Sequence, residues 1–320
     1  MSNEIKTINR GVYPAMLTPF TKDNQVDYGM VKALTQWYAE KGCQGVFATC
    51  LSSEIFGGEN DFGQPYTGLT LEERVKVSKA TVEAAPASMD VVVSGHTRPV
   101  TGRGMYELEA MADTGAKALV LISGLLADED EDEDAIRRNL DKVMNAIPNI
   151  DLGFYECPLP YKRYLSAELL GDLAKTGRFV FMKDTTCSAT VMKPKLEAVR
   201  GTRLQIFNAN SATLLDTVRD GAAGLCGVMG NYHPDLYVKL MELADNNDPR
   251  AQELMDELGV LSSIQYPSYP ASAKAYLQRE GLPFESIGTR AKPDAVMGEA
   301  DMYEIEQRYA FTNRLREKWL

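Results

Sequence analysis

Eight short runs of apolar and β-branched residues recur along the chain, each followed by a longer stretch with helical patterning. They are Val12–Leu17, Gly45–Thr49, Val91–Ser94, Ala118–Ile122, Leu152–Tyr155, Phe179–Met182, Leu204–Phe207 and Gly224–Val228. Strand-then-helix alternation leaves few folds open, because each crossover returns the next strand parallel to the last and both faces of the sheet must be covered. Eight such units close on themselves. The expected fold class is therefore α/β, a (β/α)₈ TIM barrel with a C-terminal helical extension. A chain of 320 residues fits one barrel of about 250 residues plus that extension. Residues 1–232 are assigned to the barrel core and 233–320 to the last barrel helix and the helical extension of the same unit.

Helix starts punctuate the pattern. Asp27 opens a stretch in which Met30, Val31, Leu34, Trp37 and Tyr38 share a face, and Thr70 with Glu73 makes a capping box. Later helices are expected near Asp134, Ser166, Lys193 and Ser211, and the C-terminal helices are broken by Pro267, Pro270 and Pro283. Two segments interrupt the rhythm. Gly57–Gly68 is a glycine-rich loop after the second strand, either a lid over the barrel mouth or a surface insertion. Asp128–Asp134 is an unbroken acidic run, read as a solvated helix cap rather than a cation site.

Composition removes several function classes. With 44% hydrophobic and 25% charged residues a large core can form, while a net charge of −11 repels nucleic acid and anionic membrane. No apolar run approaches the roughly 20 residues that span a bilayer, and the opening MSNEIKTINRGVYP lacks a signal-peptide pattern, so a cytoplasmic protein is expected. Five cysteines at 43, 50, 157, 187 and 226 fit neither a disulfide framework nor a CxxC site and are read as reduced thiols, mostly buried.

Barrels keep their chemistry at the C-terminal ends of strands, and the sixth strand ends in Phe-Met-Lys183-Asp184. In an apolar mouth, desolvation disfavours an ammonium and leaves a nucleophilic amine able to attack a ketone; the plain alternative is a surface lysine beginning a loop. Tyr155 closes the fifth strand, where a phenol beside an imine carbon can carry protons; otherwise it is an interfacial barrel tyrosine. Ser52 and Ser53 follow the second strand, offering N–H groups and hydroxyls to a carboxylate, or forming a simple turn.

These three sites, in this order, resemble the dihydrodipicolinate synthase/N-acetylneuraminate lyase family of pyruvate-dependent class I aldolases. The matching pieces are Thr18-Pro19-Phe20, Gly45 through Glu54, Leu69 through Arg74, Tyr155 with Pro158, Lys183-Asp184, and Gly224–Asn231. Most specific is Tyr155 placed 28 residues before Lys183, each ending one of two successive strands. The resemblance implies that Lys183 forms the imine, that Tyr155 shuttles protons, and that Ser52 and Ser53 hold the keto-acid carboxylate, Ser53 through its backbone. It also implies a homo-oligomer, a tetramer or dimer, and no cofactor. The chain departs from the synthases of the family at three places: Leu51 replaces a threonine, Ser123–Leu126 replaces a tyrosine pair, and Pro160 replaces an arginine that pairs with the second substrate's carboxylate.

Other strand-end groups are candidates for a second substrate. His96 ends the third strand as acid or base, or as a satisfied structural histidine. Asn208, Asn210 and Ser211 end the seventh and suit either sugar-acid hydroxyls or helix capping. Glu156 follows Tyr155 and turns away if alternation holds, and His233 is expected to begin the last barrel helix. The expected activity is a Schiff-base lyase, aldolase or dehydratase, acting on pyruvate or a 2-keto-3-deoxy sugar acid. A synthase-like condensation of pyruvate with an aldehyde and a non-catalytic keto-acid or sugar-acid binder are the alternatives. A metal-dependent aldolase is disfavoured for want of ligand spacing at strand ends.

Overall fold

The strands expected from the sequence form one parallel sheet: β1 Gly11–Val12, β2 Gly45–Ala48, β3 Asp90–Ser94, β4 Ala118–Ile122, β5 Asp151–Tyr155, β6 Phe179–Asp184, β7 Gln205–Asn208 and β8 Gly224–Leu225. The computed structural model describes residues 7–59, 63–264 and 268–320. From β2 to β8 each strand pairs with its sequence neighbour, and β8 pairs with β1. Beyond the end of β1, Met16 N–H donates to Phe47 C=O and Phe47 N–H to Pro14 C=O, both at 3.0 Å, which closes the barrel. The fold is a TIM barrel, as the alternation required.

Helices α1 Tyr28–Glu40, α2 Leu71–Ala84, α3 Arg103–Ala112, α4 Glu133–Ala146, α5 Ala167–Lys175, α6 Ala189–Ala198, α7 Leu214–Arg219 and α8 Pro234–Asp245 surround the strands. Their caps follow the side-chain chemistry: Asp27 accepts from Met30 N–H, Thr70 and Glu73 form the capping box, and Asp132 of the acidic run accepts from Asp134 and Ala135 N–H. Two starts differ from expectation. α6 begins at Ala189 behind Ser188, which accepts from Val191 N–H, and Lys193-Pro194 lies inside the helix rather than opening it. α7 begins at Leu214, because Ser211 is drawn into a hydrogen bond with Tyr237 instead of capping. α3 has no side-chain cap, only Gly102, so no sequence signal marked it.

The extension is helical: α9 Arg250–Ile264, α10 Ala271–Arg279 and α11 Glu299–Trp319. Arg316 of α11 bridges Asp235 of α8 at 2.8 Å and Glu280 at 2.6 Å, tying the extension to the barrel. Pro267 lies outside the described residues. Part of the Gly57–Gly68 segment is likewise outside them; of the rest, Gly58–Glu59 pairs antiparallel with Pro65–Tyr66. Among the described residues no helix is long and apolar enough to cross a membrane.

The barrel interior is aromatic. Phe181 packs edge-on to Phe47 with ring centroids 5.6 Å apart, tilts against Phe207 at 5.2 Å, and Phe207 meets Tyr13 at 4.6 Å. Aromatic pairs of this geometry add about 1 kcal/mol each beyond the area they bury. Gly45 makes room for this stack, since a Cβ there would fall 2.1 Å from the Tyr13 ring.

Candidate active site

Strand alternation sorts the residues at the ends of β5 and β6. Phe181 and Lys183 project into the barrel, and Tyr155 pairs in register with Lys183 on the neighbouring strand. The Lys183 Nζ lies 4.7 Å from the centroid of the Tyr155 ring and 5.7 Å from that of Phe47, and the lysine is only 4% exposed. The aromatic stack thus forms the floor, with an amine and a phenol directly above it. Burial pushes the Tyr155 phenol well above its ordinary range, and its hydrogen bond with the Cys157 thiol pushes the same way. The phenol is therefore a protonated group able to donate.

Three thiols share this mouth. Cys157 and Cys226 are pushed up by burial, to about 11 and about 12, and the neighbouring Lys183 offsets only part of the rise. Cys50 acts electrostatically on both. Sequence reasoning treated the cysteines only as buried thiols. The missed signal was position, since Cys50, Cys157 and Cys226 each stand within two residues of a strand end.

On the opposite wall, Leu51–Ser53 forms a 3-10 turn after β2. The Ser52 hydroxyl pairs with Tyr269, whose own hydroxyl accepts from Asn231 Nδ2 at 3.3 Å. Tyr269, from the segment leading into α10, is a further residue the sequence does not single out. Ser53 needs a correction. Its N–H donates to Cys50 C=O at 2.9 Å, closing the turn, and its hydroxyl donates to Met16 C=O at 2.6 Å while accepting from Cys50 N–H at 3.1 Å. The expected carboxylate donor is thus spent on the turn itself, and Ser52 is the serine of the pair whose hydroxyl is turned toward Tyr269.

Four further candidates are engaged within the fold. His96 is fully buried between strand ends: Nδ1 meets Arg98 C=O at 2.8 Å and Nε2 accepts from Ile122 N–H at 2.9 Å. With both ring nitrogens occupied by backbone, and its pKa lowered by burial to about 4, it is a neutral structural link and not an acid or base of the mouth. Asn208 donates to Thr213 and Thr217 at 2.9 and 3.0 Å and accepts from Asn210 N–H at 2.7 Å. Asn210 accepts from Thr213 N–H at 3.0 Å, and Ser211 shares a 2.6 Å hydrogen bond with Tyr237. Asn208 and Asn210 serve the turn into α7, accepting its N–H groups, while Ser211 ties that turn to α8 through Tyr237. His233 stands immediately before Pro234 at the start of α8, as expected, without a side-chain cap. Glu156 points outward to Lys195 of α6.

The sequence profile of the dihydrodipicolinate synthetase family matches residues 9–293. The chain belongs to this family. Members of the family are pyruvate-dependent class I lyases, and this chain is an enzyme of that kind. The 4-hydroxy-tetrahydrodipicolinate synthase of Natronomonas pharaonis is 26% identical over 254 residues, covering 78% of this chain and 80% of the relative. Among solved structures, the dihydrodipicolinate synthase of Acinetobacter baumannii complexed with pyruvate superposes with a TM-score of 0.80 at 21% identity, covering 96% of this chain and 99% of that one. The wild-type sialic acid aldolase of Ruminococcus gnavus gives 0.81 at 20% identity over 97% and 99%. At such identities the superpositions establish the shared barrel.

Proposed function

We propose that this lyase forms an imine between Lys183 and the C2 carbonyl of pyruvate or a 2-keto-3-deoxy sugar acid, with Tyr155 carrying the protons. The observation that supports it is the buried amine of Lys183 set 4.7 Å from the Tyr155 ring on the adjacent strand. The amine adds to C2 to give a carbinolamine. Proton transfer from the phenol lets the hydroxyl depart as water, leaving a protonated imine. That cation draws electrons from the C3–C4 bond when the C4 hydroxyl loses its proton, releasing an aldehyde and an enamine. Protonation at C3 and hydrolysis return pyruvate and the amine. Alternatively, loss of a C3 proton and expulsion of a neighbouring hydroxyl gives dehydration from the same imine. Ser52, beside Tyr269, is the proposed contact for the keto-acid carboxylate.

The curated relatives carry a synthase name, and condensation of pyruvate with an aldehyde runs the same bond chemistry in reverse. Cleavage or dehydration is favoured here because Leu51 and Pro160 bring neither a hydroxyl nor a cation to the places where the synthases carry a threonine and an arginine. A panel of keto acids assayed for pyruvate release, with borohydride reduction and mass mapping, tests the proposal. A stable pyruvate-derived adduct is expected on Lys183; its absence with every keto acid would end the reading. A homo-oligomer, tetramer or dimer, is expected, and light scattering reports it.

A further inference from the structure

Behind the two candidate catalytic side chains lies a buried cluster that the chemistry above does not use. The residues that follow Tyr155 and Lys183 are both carboxylates, Glu156 and Asp184, and alternation turns both away from the mouth toward α6. There one ammonium meets both of them: Lys195 Nζ donates to Glu156 Oε1 at 2.6 Å and to Asp184 Oδ2 at 2.7 Å. Glu156 and Asp184 are fully buried and Lys195 is 3% exposed. The remaining acceptor positions are occupied as well. Glu156 takes N–H donors from Leu165 at 3.0 Å and Thr185 at 3.3 Å, and Asp184 Oδ1 takes the Thr186 N–H at 2.8 Å. Thr185 Oγ1 donates to the Glu156 carbonyl at 2.6 Å, so the two strand ends are cross-tied by backbone and side chain together.

Such a cluster is a poor device for stability. Burying two carboxyl groups and an amine costs more than an apolar packing of the same volume, and burial, with Asp184 beside it, pushes the Glu156 carboxyl above its ordinary range. What it supplies is geometry. A dry ammonium held short by two carboxylates fixes a distance and a rotation between two strands in a way that apolar contacts do not. We propose that Lys195 is a positioning residue: by holding Glu156 and Asp184 at once it locks the ends of β5 and β6, and with them the Tyr155 phenol against the Lys183 amine. The proposal rests on the imine reading of Lys183, and proton transfer between such groups is sensitive to displacement, a 1 Å error costing on the order of 10²-fold.

The test compares Lys195→Met and Lys195→Arg with the parent protein, following the rate of borohydride-trappable pyruvate adduct against pyruvate concentration, with circular dichroism and melting curves to count folded molecules. Lys195→Met is expected to lower the maximal trapping rate per folded molecule by about tenfold or more while moving the half-saturating pyruvate concentration less than about threefold, since the serine wall is untouched. Arginine, whose fork reaches two carboxylates, is expected to restore most of the rate. If Lys195→Met does not fold, the triple change Glu156→Gln, Asp184→Asn, Lys195→Met carries no unpaired charge and is expected to show the same loss. A parental maximal rate in folded Lys195→Met, or in the folded triple variant, overturns the clamp. Failure of the parent protein to trap pyruvate on Lys183 overturns the imine reading and the clamp with it, so the two failures are distinguishable.

Discussion

Lysine and tyrosine are ordinary residues at a barrel rim, and what distinguishes positions 183 and 155 is that alternation turns both inward onto an apolar floor. An amine there has Phe47 and the Tyr155 ring for neighbours instead of water. Lys183→Ala is therefore expected to abolish turnover and adduct formation while leaving the melting curve in place, which an activity assay beside a thermal melt will check. Tyr155→Phe keeps the ring and removes the proton carrier, so turnover should fall by about 10²-fold, the usual size of a general acid–base contribution. A parental rate in that variant would remove the phenol from the mechanism. Both positions were legible because a strand end is a local property. His96 and Ser211 were not, since what satisfies them comes from Ile122 and Tyr237, each 26 residues away.

At the scale of elements, the short apolar runs declared the strands because a parallel strand covered on both faces has no polar face to confuse the pattern. The helix starts were less secure. Lys193-Pro194 looked like a start and lies within α6, and α3 opens on a bare glycine. The strands also show how little room the interior leaves. Gly45 on β2 faces the Tyr13 ring, whose hydroxyl is anchored to Asp90 Oδ2 at 3.0 Å and so cannot swing aside. Gly45→Ala is expected to cost about 1–3 kcal/mol by overpacking, measurable as a lower denaturant midpoint with an unchanged slope.

For the whole molecule, the two histidines set a direction for acid sensitivity. Burial lowers His96 to about 4 and His233 to about 3, against 6.5 for an ordinary imidazole. As pH falls below about 6.5 the unfolded chain takes up these protons and the folded protein does not, so stability falls with pH until the folded values are reached. Urea unfolding at pH 7, 6 and 5 should therefore give decreasing stability, and His96→Gln should flatten part of that slope. An unchanged slope in the variant would show that the imidazole is not held neutral. The C-terminal extension contributes at this scale too, through Arg316 binding α8 and Glu280, and through Tyr269, which reaches Ser52 at the mouth.

The amino-acid order alone determined the barrel, the order of its strands and the placing of an amine and a phenol at the ends of two neighbours, because all of these follow from periodicity along the chain. Which polar groups remain open to a ligand was decided only in three dimensions. Ser53, His96, Asn208 and Ser211 are the right residue types at strand ends, yet each is already hydrogen-bonded within the fold. Lys195 acquires its meaning only where α6 lies across the ends of two strands. A hydrogen bond needs a partner in space, and the partner's place in the chain carries no periodic trace.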